Sequence, residues 1–172
     1  GFQVERLYSV PREQGSWVSL AVDPQGRLLA SDQYGGLYRV DGLGRGEELR
    51  VSEVDADIGM SQGMLFVGED LYMTVNGNAA EGSGVYRLRD KDGDGSFEER
   101  TLLKKLDGNG EHGPHALALG PDGWIYVIAG NMTRHPEGCA ETSPHRNFDE
   151  DLLLPRRPDG RGHATGVMAP GG

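Results

Sequence analysis

The chain contains the segment Leu20-Ala21-Val22-Asp23-Pro24-Gln25-Gly26-Arg27-Leu28, in which an apolar run, a Pro-Gln-Gly turn and a second apolar run follow one another. The same order recurs 97 residues later as Leu117-Ala118-Leu119-Gly120-Pro121-Asp122-Gly123-Trp124-Ile125. Short apolar runs joined by turns that contain Gly and Pro are typical of antiparallel β-hairpins. The repetition therefore indicates a fold that is built from similar hairpin units.

A second repeat gives the length of the unit. Gly36-Leu37-Tyr38-Arg39-Val40 recurs 48 residues later as Gly84-Val85-Tyr86-Arg87-Leu88, and 97 residues is close to two such steps. Repeats of about 40 to 50 residues with four short strands each are typical of β-propeller blades. We predict an all-β chain that supplies about three blades of a β-propeller. Trp17 and Trp124 each begin a strand, where packing in the core or at a blade edge is expected.

The repeat also predicts the domain organisation. The blades are expected at residues 15–55, 60–106 and 112–172, and the third contains an insertion at residues 130–151 that is long for a propeller loop. Closed propellers carry roughly 4 to 8 blades, so three blades indicate part of a ring. We therefore expect a fragment of a longer protein, with exposed blade edges that further blades would cover.

Composition and charge limit the classes of function. The formal net charge of the 172 residues is −10, and no cluster of Lys and Arg would follow a phosphate backbone, so nucleic acid is not expected as a partner. The 172 residues contain no apolar run of membrane-spanning length and no basic start before an apolar core, so we expect neither a membrane anchor nor a signal peptide within them, and an excised signal stays open. A single cysteine, Cys139, excludes both a disulfide within the chain and a metal site built from several cysteines.

An acidic loop is the first candidate site. The segment Asp90-Lys91-Asp92-Gly93-Asp94-Gly95-Ser96-Phe97-Glu98 places acidic side chains at alternate positions around a glycine bend. Calcium takes about 6 to 8 oxygen ligands, which alternating carboxylates supply if they converge on one centre. We predict a structural Ca²⁺ site with the ligands Asp90, Asp92, Asp94, Ser96 and Glu98. The alternative is a solvated hairpin in which Asp and Gly act as turn formers.

A histidine segment before the third hairpin is the second candidate site. It has the sequence Gly110-Glu111-His112-Gly113-Pro114-His115. Histidine accepts a proton near neutral pH and an adjacent carboxylate orients it, so His112 is a candidate general base and Glu111 its partner. The alternative is a pair of turn histidines that bind backbone carbonyls. In a regular strand His112 and His115 would point to opposite faces, so Pro114 has to bend the chain if both reach one cavity.

The stretch from His112 to Gly123 resembles the catalytic-histidine segment of the soluble glucose/sorbosone dehydrogenases, six-bladed propellers that use pyrroloquinoline quinone (PQQ). His112 lies eight residues before the Gly120-Pro121-Asp122 turn, where that family has its base, and Glu111 fills the acidic position before it. Gln62-Gly63-Met64-Leu65 is similar to a segment in which a glutamine contacts the quinone, although it is one residue tighter. The resemblance implies a propeller of the six-bladed type.

Nearly the whole chain is similar to one branch of these proteins, the membrane-bound dehydrogenase-like propellers of planctomycetes and verrucomicrobia. In that branch a c-type haem domain commonly follows the propeller, so a haem c would lie outside this chain. The segments that carry the similarity are Gln14 to Leu20, Ala30 to Val40, Gly110 to Ala116 and Asp151 to Arg156.

The resemblance implies a quinone-dependent sugar or alcohol dehydrogenase of the bacterial periplasm. His112 would take the proton of a substrate hydroxyl while hydride passes to the quinone, and a cytochrome c domain or partner would accept the electrons. The residues expected to bind the cofactor are Gln62, His115, Asn131 and His163.

Two alternatives stay open at this point. The quinoproteins carry an Arg-Asn pair after a Gly-His in the next blade, whereas this chain reads Gly162-His163-Ala164-Thr165-Gly166. This departure favours a propeller that binds a carbohydrate or a protein without catalysis. The other alternative is a calcium-dependent lactonase-like hydrolase, with a metal on the central axis among side chains such as Asp32, Glu111 and Asn131.

Overall fold

The computed structural model describes residues 1–44, 46–77, 82–108, 112–130 and 133–134. Apart from the short 3-10 turn Arg12–Gln14, the regular elements in these ranges are β-strands, and none of the described helical structure has the length and hydropathy of a membrane span. The strands are β1 (Trp17–Val22), β2 (Leu28–Asp32), β3 (Leu37–Asp41), β4 (Arg50–Val54), β5 (Ser61–Val67), β6 (Asp70–Val75), β7 (Gly84–Arg89), β8 (Glu99–Lys105), β9 (Pro114–Leu119) and β10 (Ile125–Ala129).

The strands form two four-stranded sheets and one hairpin. The first sheet has the order β1-β2-β3-β4, the second β5-β6-β7-β8, and the hairpin pairs β9 with β10. Within each of these units, every strand pairs antiparallel with the next along the chain, which is the topology of a propeller blade. The predicted all-β, propeller-type fold is therefore confirmed, while the number of blades in a ring stays a prediction.

The first strands of successive units lie next to one another. Strand β5 contacts β1 on one side and β9 on the other, so the second sheet lies between the first sheet and the hairpin. The hydrophobic core fills the space between the two sheets. Its fully buried side chains include Leu37, Leu71, Met73, Tyr86 and Leu88, each with no exposed surface.

The two tryptophans differ in burial. Trp17 lies between Tyr8 and Tyr38, with ring centroids 5.7 and 5.6 Å away, so it is packed as expected. Trp124 is 73% exposed, and the expectation of packing was wrong for this residue.

Candidate functional site at the starts of the first strands

The first strand of each unit begins at the same edge of the stack. There the starts of β1, β5 and β9 pair with the ends of β2, β6 and β10 through Trp17 and Asp32, Ser61 and Val75, and Pro114 and Ala129. We call residues 15–19, 60–63 and 112–116 the strand-start edge. The structure brings three of the predicted site residues to this edge: Gln62, His112 and His115.

Each first strand carries the same irregularity near its start. The pairing register with the second strand slips by one residue, which leaves one extra residue on the first strand. These bulge residues are Val18 in β1, Gln62 in β5 and His115 in β9. A β-bulge bends the strand and re-aims a side chain, and bulges are frequent next to active sites. Gln62 and His115 therefore occupy equivalent positions in neighbouring units.

The bulges of β5 and β9 touch through their backbones. A Cβ atom placed on Gly63 would lie 2.2 Å from the carbonyl oxygen of His115 and 2.8 Å from the Cα of Ala116. Any side chain at position 63 would collide with this backbone. Because Gly63 has no side chain, the backbone of β5 lies directly against the backbone of His115.

His112 lies just before β9 and is not part of the strand. Its carbonyl oxygen accepts a hydrogen bond from Thr133 Oγ1 at 3.4 Å, and the amide of Gly130 donates to the carbonyl of Gly113 at 2.8 Å. A Cβ on Gly130 would lie 2.5 Å from the His112 oxygen. The backbone of His112 is therefore held against the end of β10. Because of this turn and the bulge at His115, the strand alternation that would separate the two histidines does not apply.

Two polar residues at this edge were not predicted from the sequence. Thr74 Oγ1 lies 3.0 Å from the carbonyl oxygen of His115, and its side chain is fully buried. Asn76 follows β6, and a Cβ on Gly113 would lie 2.5 Å from Asn76 Oδ1. The sequence signal that was available is their position, since Thr74 lies near the end of the apolar strand β6 and Asn76 directly follows it.

Several predicted site residues lie outside the described residues. They are Glu111, Asn131 and His163. The pairing of Glu111 with His112 and the contacts of Asn131 and His163 with a cofactor therefore stay predictions. Asp32, considered above as an axial metal ligand, is buried and accepts a hydrogen bond from the amide of Ser16 at 2.7 Å. Its carboxylate packs between Gly15 and Gly35, which gives it a role in the turn.

A cleft of about 740 Å³ opens beside the strand-start edge. Its walls are the β2–β3 turn at residues 34–36 and the connection from β4 to β5 at residues 53–60. The amide of Met60 donates to the carbonyl of Gly35 at 2.9 Å, which closes one end. Small-molecule sites usually occupy about 300 to 1,000 Å³, so the cleft has room for a sugar.

The acidic loop joins β7 to β8, and its carboxylates converge. One oxygen from each of Asp90, Asp92, Asp94 and Glu98 lies within 4.8 Å of the others. Ligand oxygens around Ca²⁺ lie about 2.3 to 2.6 Å from the ion, so two of them are up to about 5 Å apart. The four carboxylates therefore fit one cation. Ser96, the fifth predicted ligand, donates its amide to Asp94 Oδ1 at 2.7 Å.

Hydrogen bonds within and around the loop fix its shape. Asp90 accepts from the amides of Gly93 and Gly95 at 2.6 and 2.8 Å. Arg39 of β3 donates to the carbonyl of Gly95, and burial is the main reason that the pKa of Arg39 is lowered. The loop is thus attached to the first sheet as well as to its own.

The similarity of this chain to known proteins is distant. No family model and no curated protein matches the chain. Among solved structures, the chain is similar to a protein of Thermus thermophilus that is provisionally named an oxidoreductase (glucose dehydrogenase), with 23% identity and a TM-score of 0.49. The match covers 69% of this chain and 38% of that one, so the chain spans well under half the length of its relative. The fold assignment rests on the sheets described above.

Proposed function

We propose that the strand-start edge is the substrate side of a quinone-dependent sugar or alcohol dehydrogenase. The observation that supports this function is the contact between the bulges of β5 and β9, in which Gly63 lies against His115. This contact joins the two segments that resemble the glutamine and histidine segments of the soluble glucose/sorbosone dehydrogenases. The two segments are far apart in the sequence and adjacent in the fold.

The polar side chains at and next to this edge are of types that can form hydrogen bonds to a quinone such as PQQ. The amide of Gln62 and the imidazole of His115 offer hydrogen-bond donors for carbonyl or carboxylate oxygens, and Asn76 adds a second amide next to Gly113. When bound, the quinone supplies the acceptor for two electrons, which no amino-acid side chain provides. We propose Asn131 and His163 as further contacts.

In this proposal His112 acts on the substrate hydroxyl. A ring nitrogen of His112 would take the proton of the substrate hydroxyl, and the carbon that carries this hydroxyl would give up its hydrogen as hydride, for which a bound quinone would be the acceptor. The backbone of His112 is held by Thr133 and Gly130, which supports a fixed position for this residue at the strand-start edge. Glu111 is proposed to orient that ring and to stabilise its positive charge.

The wider assignment rests on sequence resemblance. The similarity to membrane-bound dehydrogenase-like propellers supports a periplasmic location. It also supports a cytochrome c, within the same protein or separate from it, as the acceptor of the electrons.

The test is a titration of the full-length protein that contains this chain with PQQ and Ca²⁺, followed by an assay of sugar-dependent dye reduction. General bases contribute about 10²- to 10⁴-fold to a rate, so His112→Ala should lower the dye-reduction rate at least about 100-fold and leave the affinity for PQQ unchanged. His115→Ala should weaken PQQ binding instead. Gln25→Ala, in the exposed β1–β2 turn, is the control and should change neither quantity.

Two results would overturn the dehydrogenase proposal. If the intact protein does not bind PQQ, a propeller that binds a carbohydrate or a protein without catalysis becomes the better account. If a lactone is hydrolysed with release of acid and without dye reduction, the lactonase-like alternative is supported.

The acidic loop supports a second proposal, a structural Ca²⁺ site. The supporting observation is the convergence of four carboxylates within 4.8 Å. A ligand that binds only the folded state raises the free energy of unfolding by about 2.7 kcal/mol at 100 times its Kd. Thermal unfolding with Ca²⁺ and with a chelator should show this difference for the wild type and not for Asp92→Asn. Glu47→Gln, an exposed acid outside the loop, is the control. An equal Tm with and without Ca²⁺ would favour the solvated hairpin.

A further inference from the structure

Buried hydroxyl groups connect the second strands of the two sheets, β2 and β6, to the first strand of the next unit. In β2, Ser31 Oγ accepts a hydrogen bond from the amide of Ser61 at 2.9 Å. In β6, Thr74 Oγ1 lies 3.0 Å from the carbonyl oxygen of His115. Both side chains have no exposed surface, and both residues pair with the residue that directly follows a bulge. Ser31 and Thr74 are therefore equivalent positions of the repeat.

The two hydroxyls differ in what they hold. Ser31 binds the amide of Ser61, which precedes the bulge of β5. Thr74 lies within hydrogen-bond distance of two carbonyl oxygens, that of His115 and, at 3.4 Å, that of Gly63. The Gly63 oxygen also accepts a hydrogen bond from Ser61 Oγ at 2.8 Å, so the single proton of the Thr74 hydroxyl is assigned to the nearer oxygen, that of His115. The equivalent residue of β10 is Ile128, which has no hydroxyl.

The carbonyl that Thr74 holds belongs to His115, a proposed cofactor contact. His115 is the bulge residue of β9, and Gly63 directly follows Gln62, the bulge residue of β5. The hydrogen bond from Thr74 Oγ1 restrains the peptide plane that contains the His115 carbonyl, and this plane helps to set the direction of the side chain at the bulge. We infer that Thr74 is a positioning residue that sets the direction of the His115 side chain through the carbonyl of His115. The role of Thr74 in cofactor binding rests on the proposed function, whereas its hydrogen bond to His115 does not.

The experiment compares three variants of the protein by NMR without a ligand. Thr74→Val removes the hydroxyl and keeps the shape, Thr74→Ser keeps the hydroxyl, and Ser31→Ala removes the equivalent hydroxyl one sheet earlier. The readout is the ring C–H resonance of His115, assigned with His115→Asn. Thr74→Val should shift this resonance, while Thr74→Ser and Ser31→Ala should leave it in place. Thr74→Cys, with a weaker donor, should give an intermediate shift and serves if the valine variant does not fold.

A second readout, the affinity for PQQ, tests whether Thr74 affects the proposed cofactor site. Thr74→Val should weaken PQQ binding about tenfold, and Thr74→Ser should restore the affinity to within about threefold. If Ser31→Ala shifts the His115 resonance as much as Thr74→Val does, Thr74 only packs two units together and the inference is wrong. If the resonance responds as expected but no variant and no wild-type protein binds PQQ, the positioning role of Thr74 stands and the dehydrogenase proposal fails.

Discussion

The second sheet and the β9–β10 hairpin use the same strand pairing, with a bulge at the same place, but they differ greatly in burial. Met73 and Thr74 of β6 have no exposed surface, whereas their equivalents in β10, Val127 and Ile128, are 42% and 58% exposed. The second sheet is covered by β1 on one side and by β9 on the other. Burial of a repeated sheet is therefore determined by its neighbours, because similar strand sequences give a core in one place and a surface in the other.

The largest expected effect compares the same position in the two regions. Met73→Ala removes a fully buried side chain and should lower the free energy of unfolding by about 2 to 5 kcal/mol. Val127→Ala removes a side chain that is 42% exposed and should cost less than about 1 kcal/mol. Denaturant unfolding of both variants gives the two numbers. If the Val127 variant loses as much stability as the Met73 variant, β10 is covered in solution and the contrast between the two regions does not hold.

A smaller effect is expected at the hairpin turns. Asp23, which is buried, accepts hydrogen bonds from the amides of Gln25 and Arg27 at 3.0 and 2.8 Å and from Arg27 Nε at 2.6 Å. Gly120 occupies the same place in the β9–β10 turn, which has the same backbone hydrogen bonds. Asp23→Ala leaves these donors without an acceptor and should cost about 2 kcal/mol in denaturant unfolding.

The control for this prediction is Gln25→Ala in the same turn, since its side chain is exposed and the expected change is within about 0.5 kcal/mol. Equal losses of unfolding free energy in the two variants would mean that the backbone hydrogen bonds alone hold the turn. The β9–β10 turn has the same backbone bonds without an acid at this position.

The sequence predicts the strands that carry apolar runs, and it misses one that does not. Strands β1, β2 and β3 were expected from apolar runs between turns, and β5, β6 and β7 from the same pattern. The four-strand repeat implies an outer strand, but no apolar run locates β4, because Arg50-Val51-Ser52-Glu53-Val54 contains two charged residues and mostly faces solvent. An outer strand contributes little to the core, so its sequence is weakly constrained.

The candidate site was predictable only in part, for a physical reason. The spacing of Asp90, Asp92 and Asp94 indicated converging carboxylates, because residues of one loop are close in any conformation. The bulge at His115 and the hydroxyl of Thr74 depend on how two units pack, which no local pattern encodes. Threonine is also common in strands, so Thr74 alone gives no signal.

The smallest expected effect concerns the exposed turn of the β9–β10 hairpin. The hydroxyl of Tyr126 donates to Asp122 Oδ2 at 2.7 Å, and this bond is the main reason that the pKa of Asp122 is lowered and that of Tyr126 raised. The lowered pKa of Asp122 stabilises the folded hairpin above the ordinary value of 3.8, and this contribution is lost as the pH falls through the folded value.

Tyr126→Phe should therefore raise the pKa of Asp122 toward 3.8, measured by NMR titration of its carboxyl carbon. Gln25→Ala, in the β1–β2 turn, is the control and should leave that titration unchanged. An unchanged pKa of Asp122 in Tyr126→Phe would show that the amide of Trp124, 3.1 Å from Asp122 Oδ1, is sufficient to lower that pKa. The raised pKa of Tyr126 predicts a second loss of stability above about pH 10, which the same variant should abolish. Both changes in stability should be small because the Asp122–Tyr126 pair is exposed to solvent. The turn of the β9–β10 hairpin is therefore held by contacts within the hairpin, whereas the burial of β6 depends on the neighbouring strands.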